Sequence, residues 1–174
     1  EQWSLIAATH SRIVEAIREQ PGVAAAGGSN FLPLSTGWRN PFNIEGQPMP
    51  SRQEDLPQAQ MHSVSDGYFE AMGAALVEGR AFTAFDVADA TGVAIVNESF
   101  ARRYLADRGA VGQSLRVWAT GIGPLGVNLK AAHNPQHPGM AFDIVGVVGD
   151  ITNGALGQAV EPAIYFSTRQ FPFS

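Results

Sequence analysis

Between residues 64 and 117 the chain alternates apolar runs with residues that begin or end helices, and this order restricts the fold more than any other feature. Asn97 directly follows the apolar run 93–96 and predicts the start of a helix, because an asparagine side chain accepts hydrogen bonds from the free amide groups at a helix N-terminus. Gly79 and Gly112 predict turns on either side. The stretch therefore predicts short strands and short helices in succession.

Two more helices are predicted. Residues 3–20 place apolar side chains about every 3.6 positions and charged side chains between them, which is typical of an amphipathic helix. A short helix over 68–72 is predicted to begin at Ser65 or Asp66, whose side chains can cap it, and to end at Gly73.

Strands are predicted at 60–64, 93–96, 114–118, 142–148 and 162–166, with a short one of small residues at 23–27. Residues 142–148 are apolar on both faces, so we expect this strand in the middle of a sheet. The predicted fold class is α+β, with a mixed β-sheet and short packed helices. Its 174 residues fit one domain, or one domain with two lobes.

Two segments interrupt this pattern. Five prolines between residues 33 and 57 predict that 35–55 is a long loop excursion, within which 43–46 can include a short strand. Glycines and prolines predict the same for 119–140, as an insertion or the tip of a long hairpin. Such loops in compact domains are commonly functional.

Charge and composition exclude several classes of protein. The net charge is −5 and the ten arginines are scattered, so no basic stripe predicts nucleic-acid binding. The absence of cysteine excludes disulfides and thiolate metal sites. No apolar run approaches the ~18 residues that span a bilayer. The chain starts at Glu1 without a methionine, so we expect a segment excised from a larger protein.

No pattern of residues predicts catalysis, a metal or a cofactor. His133 and His137 have the spacing of zinc ligands on a helix, but Pro135 and Pro138 exclude that helix and favour a solvated loop. The glycines of 146–150 end a strand without opening a helix, unlike those of a dinucleotide site. Neither a nucleophile elbow nor a Ser-x-x-Lys pair is present. We therefore expect a protein that is not an enzyme.

Six motifs in order carry a family resemblance: YFEAMG, EGRAFT followed by Asp86, VAIVNESFARRY, VGQSL, IVGVVGD and PAIYF. The chain resembles the MacB-like periplasmic core domain of FtsX-like ABC transporter permeases, most closely the acidobacterial-type permeases with duplicated units.

The resemblance implies an extracytoplasmic domain held by transmembrane helices of the same chain, facing the periplasm or the extracellular side. It implies that ATP binds a separate cytoplasmic ATPase subunit and that the domain has no cofactor of its own. Its role would be mechanotransmission, the passing of ATP-driven motion to a substrate or a periplasmic partner protein.

The resemblance also implies roles for single residues. The matched positions are expected to be structural: Tyr68, Phe69, Gly79, Arg80, Phe82, Asn97, Gly112 and Gly149. Partner contacts are expected instead from apolar residues of the two loop excursions, namely Trp38, Phe42, Met49 and Leu125.

Two other hypotheses remain open. A free-standing solute- or partner-binding module predicts a signal peptide and a real pocket. A hydrolase with an unrecognised site predicts polar groups with shifted pKa values that converge in a cleft.

Overall fold

A computed structural model describes residues 2–31, 38–118, 139–152 and 159–170. Short helices lie between strands in the central part of the chain, as predicted. The elements are, in chain order, α1 (Gln2–Arg18), β1 (Trp38–Ile44), a 3-10 turn (Gln53–Asp55), β2 (Gln58–Val64), α2 (Tyr68–Ala71), β3 (Leu76–Gly79), β4 (Val93–Asn97), α3 (Glu98–Tyr104), β5 (Ser114–Val117), β6 (Met140–Val148) and β7 (Ala163–Ser167).

Six of the seven described strands close into a ring. Going round it, β6 pairs with β4, β4 with β7, β7 with β2, β2 with β1, β1 with β5, and β5 returns to β6. The β4–β6 and β2–β7 pairs are parallel and the others antiparallel, which confirms the predicted mixed sheet. All described strands belong to this one sheet, and β3 extends it beside β6.

Strand β6 closes the ring because it is long enough to serve two neighbours along one edge. Its residues 140–143 pair with β5 and its residues 146–148 pair with β3, while β4 occupies the opposite edge. The prediction that this apolar segment lies in the middle of a sheet is confirmed. A bulge beside Val145 shifts the β4–β6 register by one residue.

The inside of the ring is one hydrophobic cluster to which all six strands contribute. Alternate residues point inward, as the two-residue period of a strand requires. Helix α3 adds Phe100 and Tyr104, whose rings contact Phe42 at centroid distances of 5.0 Å each. The buried members from the strands include Phe42, Ile44, Met61, Ala94, Val96, Leu115, Phe142, Ile144, Ile164 and Phe166.

A second cluster covers the outer face of β2, β4, β6 and β7. Tyr165 lies at its centre, fully buried, with Tyr68 and Phe69 of α2 packed against it. Phe82 packs on Phe69 from the loop that follows β3. Short helix α2 therefore forms the lid over this face of the sheet.

Asn97 joins the sheet to α3 and carries the predicted helix cap. Its Oδ1 accepts hydrogen bonds from the Phe100 amide (2.9 Å) and from the Ala163 amide at the start of β7 (2.9 Å). Its Nδ2 donates to the carbonyl oxygen of Glu161 (2.9 Å). The side chain is fully buried, so one residue fixes a helix and two strands.

The prediction of a loop over 35–55 is wrong for residues 38–44, which form β1. Pro41 is tolerated because it lies where the pairing of β1 passes from β2 to β5, and its missing N–H falls beyond the end of β5. Its carbonyl oxygen still accepts a hydrogen bond from the Trp118 amide at 3.2 Å. Phe42 is fully buried in the ring and cannot contact a partner. Of the predicted excursion 119–140, all but the last two residues lie outside the described part of the chain.

Two smaller predictions also differ from the structure. Residues 23–27 form no strand, although Ser29 makes an isolated bridge to Val64. Neither Ser65 nor Asp66 caps α2, whose N-cap is Gly67 with φ 77°. The Ser65 hydroxyl instead accepts a hydrogen bond from the Gly28 amide at 2.7 Å. The predicted end of α2 is confirmed, since Gly73 has φ 66°.

We expect Asn97→Ala to destabilise the domain by about 3 kcal/mol, because it removes the cap and leaves buried amide and carbonyl groups unpaired. The free energy of unfolding from urea titration measures this loss. Asn97→Ser keeps a capping oxygen and is expected to lose clearly less. Equal losses in the two variants would contradict the role of the cap.

Buried His62 makes stability depend on pH. Burial lowers its pKa from 6.5 to about 4, and its ring stacks on Tyr165 at 5.4 Å. The unfolded chain therefore binds this proton more readily, so stability is full above about pH 6.5 and is lost as the pH falls towards 4. The loss is at most on the order of 3 kcal/mol.

Unfolding free energies at pH 7, 5.5 and 4.5 test this expectation. His62→Phe should flatten the dependence in that window, whereas His10→Gln on α1 should preserve it. Asp86 and Asp150 have lowered pKa values, so their contribution is lost only at more acid pH. An unchanged slope in His62→Phe would assign the dependence to another group.

Candidate functional site

The C-terminal end of α1 is the first candidate site, because three segments that are distant in sequence meet there at Asp66. Arg169, which follows β7, donates to Asp66 Oδ2 from Nε (3.1 Å) and from Nη2 (2.8 Å). Arg18, the last residue of α1, donates to the backbone oxygens of Asp66 (2.7 Å) and Ala26 (3.1 Å). The hydrogen bonds that Arg169 donates to the Asp66 carboxylate raise the pKa of Arg169.

Two glycines allow this close approach. Gly67 has φ 77°, and a Cβ there would collide with the Arg18 guanidinium. A Cβ on Gly27 would collide with the backbone of Tyr68. The segment after α1 therefore lies directly against the start of α2, and neither position has room for a side chain.

Helix α1 itself is sparsely packed. Val14 is the one residue of its described side chains in the buried class, whereas Leu5, Ile13 and Ile17 are about half exposed or more. A groove of about 330 Å³ runs between the helix and the segment 28–30, with Thr168 on its far side. The helix is thus held mainly at its C-terminal end, near the end of β7.

The second candidate site is the turn 79–87, which Asp86 locks from within. Arg80 donates to both carboxylate oxygens of Asp86 at 2.9 Å each. The Thr83 amide donates to Oδ2 at 2.7 Å. Burial alone would raise the pKa of Asp86, but these hydrogen bonds outweigh it and lower the pKa, so the carboxylate stays charged.

The locked turn presents apolar side chains to solvent. Phe85 at its tip is 86% exposed, the largest exposure of any large hydrophobic side chain described. Its amide is held by the Thr83 hydroxyl at 3.3 Å. Val87 in the same turn and Leu76 and Val77 of the neighbouring strand β3 are each about half exposed. We call residues 76–89 the Phe85 surface.

Of the eight positions predicted to be structural, Gly79, Arg80 and Phe82 lie within residues 76–89, and the other five lie in the framework around the two sites. Gly79 and Gly112 have positive φ values of 74° and 87°. The Gly149 amide donates to the Ala75 carbonyl at 2.9 Å, beside the aromatic cluster of Tyr68, Phe69 and Phe82. Their lack of a direct binding role stays a prediction.

Of the four residues predicted to contact a partner, the structure describes the side chains of two, Phe42 and Met49. Met49 is 40% exposed, but Phe42 is inside the ring. Trp38 begins β1, and Leu125 lies outside the described residues. The sequence did contain a signal for the Phe85 surface: a large aromatic residue between Thr83 and Asp86, in a turn rather than in an apolar run.

Within the described ranges, no cluster of histidine, aspartate and glutamate side chains could hold a metal ion. His133 and His137 fall outside those ranges. That the domain has no cofactor and no catalytic activity stays a prediction.

Comparison with known proteins gives the family. The family described as MacB-like periplasmic core domain matches residues 6–174. This chain belongs to that family. No curated protein sequence matches it. Members of the family are periplasmic domains of ABC-type transporter permeases, and the resemblance predicted from the motifs is confirmed.

Two solved structures show the same fold at low identity. One is the periplasmic region of MacB from Actinobacillus actinomycetemcomitans, with TM-score 0.53 and 15% identity over 92% of this chain. The other is the extracellular domain of the noncanonic ABC-type transporter YknZ from Gram-positive bacteria, with TM-score 0.51 and 11% identity over 91%. The chain spans 56% and 62% of those two structures.

As a MacB-like periplasmic core domain, the chain has relatives that lie outside the cytoplasmic membrane. Among the residues described here, no helix has the length and hydropathy needed to cross a membrane.

The contacts of Arg18 predict how this MacB-like domain holds α1. We expect Arg18→Ala to broaden the distance distribution between nitroxides at positions 12 and 107, because both hydrogen bonds that fix the end of the helix are lost. Pulsed electron paramagnetic resonance measures it, and the cysteine-free chain permits clean labelling. Arg102→Ala, which breaks an arginine–carboxylate pair at α3, serves as the control. An unchanged width in Arg18→Ala would mean that other contacts hold α1.

Proposed function

We propose that this domain is the non-catalytic, extracytoplasmic part of an ABC transporter permease, and that it passes ATP-driven motion to a substrate or partner outside the membrane. ATP is bound by a separate cytoplasmic subunit under this proposal, and the domain itself needs no cofactor. Membrane helices of the same chain and that ATPase subunit are its expected partners.

The observation that carries the proposal is the junction at Asp66. A domain inserted between two membrane helices receives force through the segments near both of its attachments. Here α1 and the end of β7 are both bonded to Asp66, one through its backbone oxygen and the other through its carboxylate. Movement of α1 is therefore passed to the end of β7 at the same place.

A stiff body is the second requirement, and the ring supplies it. A closed sheet has no free edge within the ring at which strands can separate, and its interior is filled by side chains from every strand. A force applied at Asp66 is expected to move this body as a unit rather than deform it, since packed cores resist compression.

The groove beside α1 bears on the alternative of a solute-binding module. It has room for a small ligand, but its polar lining consists of His10, Asn30 and three hydroxyl side chains, with no buried charge among them. These groups do not converge on a single point as the polar groups of a specific pocket do. We therefore favour the permease function.

Topology in the parent protein tests the location. Ser51 is exposed, so a single cysteine there, in a parent otherwise free of cysteine, can react with a membrane-impermeant thiol reagent on intact cells. We expect labelling of protein recovered in the membrane fraction. Protection until the cells are lysed, or recovery as a soluble protein, would overturn the proposal.

The coupling is tested separately, with the permease and its ATPase subunit in lipid nanodiscs. Energy transfer from a fluorophore at position 51 to acceptor-labelled lipids reports movement of the domain relative to the bilayer. We expect ATP to change the transfer, and Asp66→Ala to reduce the change while ATP hydrolysis continues. Asp150→Ala, which removes another arginine-bound carboxylate, should leave the change intact. Hydrolysis without any change in transfer would exclude coupling through this domain.

A further inference from the structure

We infer that the Phe85 surface docks a protein partner whose apolar pocket receives the Phe85 ring and whose rim carries lysine or arginine side chains. The inference rests on the proposed function, because it assigns a surface and a chemistry to the partner on which the domain acts. Its three supports are the fixed shape of the turn, its apolar content and its charge.

The turn is held in shape before any partner binds. Asp86 is buried, with 5% of its surface exposed. Its carboxylate accepts hydrogen bonds from the guanidinium of Arg80 and from the amide and hydroxyl of Thr83. Two backbone bonds add to this, from the Asp86 amide to the Thr83 oxygen and from the Val87 amide to the Phe85 oxygen. A preformed loop loses less conformational entropy on binding, so more of the contact energy appears as affinity.

The apolar residues that this turn exposes belong to neither of the two main hydrophobic clusters. Phe82 and Phe85 are three positions apart in one turn, and the first packs on Phe69 while the second points to solvent. Exposed aromatic residues on rigid turns are typical anchors of protein interfaces. Leu76, Val77 and Val87, which are exposed in the same segment of the chain, would add further apolar contact area.

Backbone pairing along β3 is a poorer means of recognition than side-chain docking. The strand is only four residues long, and its register against β6 shifts between Leu76 and Glu78. Bulges and short lengths disfavour the addition of another strand at a sheet edge. The partner is therefore expected to bind the side chains rather than extend the sheet.

Charge decides what kind of partner fits. Arg80 is neutralised by Asp86, whereas Glu78 and Asp89 are exposed and take part in none of the ion pairs among the described residues. The Phe85 surface therefore combines an apolar centre with net negative charge. Anionic lipid headgroups would be repelled by it, while a protein pocket with a basic rim would be attracted.

Site-specific photocross-linking in the parent permease tests the inference. We expect p-benzoylphenylalanine at position 85 to give one discrete protein adduct in intact cells, which mass spectrometry identifies. The same probe at Val23, an exposed apolar residue outside residues 76–89, serves as the control and should give no such adduct. No adduct at position 85, or equal adducts at both positions, would overturn the inference.

Affinity with the purified partner tests the chemistry. Phe85→Ala should raise Kd at least about tenfold, as loss of an interface anchor does. Glu78→Lys combined with Asp89→Lys should also raise Kd, and added salt should weaken binding of the unchanged domain. Val23→Ala should leave Kd unchanged, and all variants should keep the thermal unfolding midpoint, since these side chains are exposed. A Phe85→Ala variant that binds normally would refute the inference.

Vesicles of phosphatidylglycerol and phosphatidylethanolamine provide the membrane alternative. Binding of the unchanged domain to them, lost in Phe85→Ala, would replace the protein partner with a lipid surface. The thiol-labelling experiment reports independently on the proposed function. External labelling without an adduct at position 85 refutes the docking surface alone, whereas protected labelling with such an adduct refutes the extracytoplasmic location alone.

Discussion

The nine residues of β6 hold the architecture together, because this strand has neighbours on both edges and two of them on the same edge. A shorter strand would pair with β4 and β3 only, and the sheet would stay open between β5 and β6. Closure gives the interior side chains of all six strands a common core. The turn that carries Phe85 is also positioned by β6, since the Arg80 amide donates to the Val145 carbonyl at 2.9 Å.

Three aspartates fix the segments outside the ring in the same way. Asp66 binds Arg169, Asp86 binds Arg80 and Asp150 binds Arg102, each at an N–O distance of 2.8 or 2.9 Å. Partly exposed ion pairs contribute little to stability in general, but each carboxylate here also organises neighbouring backbone or side-chain groups. The hydrogen bonds to Asp150 from Ser99, for example, fix the start of α3. The pairs therefore specify where the outer segments lie more than they stabilise the fold.

Local signals in the sequence predicted the parts of the fold that local chemistry determines. The cap at Asn97, the end of α2 and the buried strand β6 follow from residue type and spacing. Strand β1 does not follow from local signals. Its Pro41 is acceptable only where the pairing of the strand changes from one neighbour to another, and that is a property of the assembled sheet. The junction at Asp66 was missed for a similar reason: Arg18 and Arg169 are 48 and 103 positions away. Phe85 was missed because exposure of a single aromatic residue has no periodic signature.

The junction between β5 and β6 has a consequence for how such domains diverge. Val117 pairs directly with Met140, Trp118 is buried beside Leu56, and a Cβ on Gly139 would meet the tryptophan ring. The two flanks of the intervening segment are thus fastened to each other by residues of the ring itself. Because the entropic cost of closing a longer loop rises only slowly with its length, the ring places little restriction on what joins these flanks. Segments of different length can therefore connect β5 to β6 without a change in the pairing of the two strands.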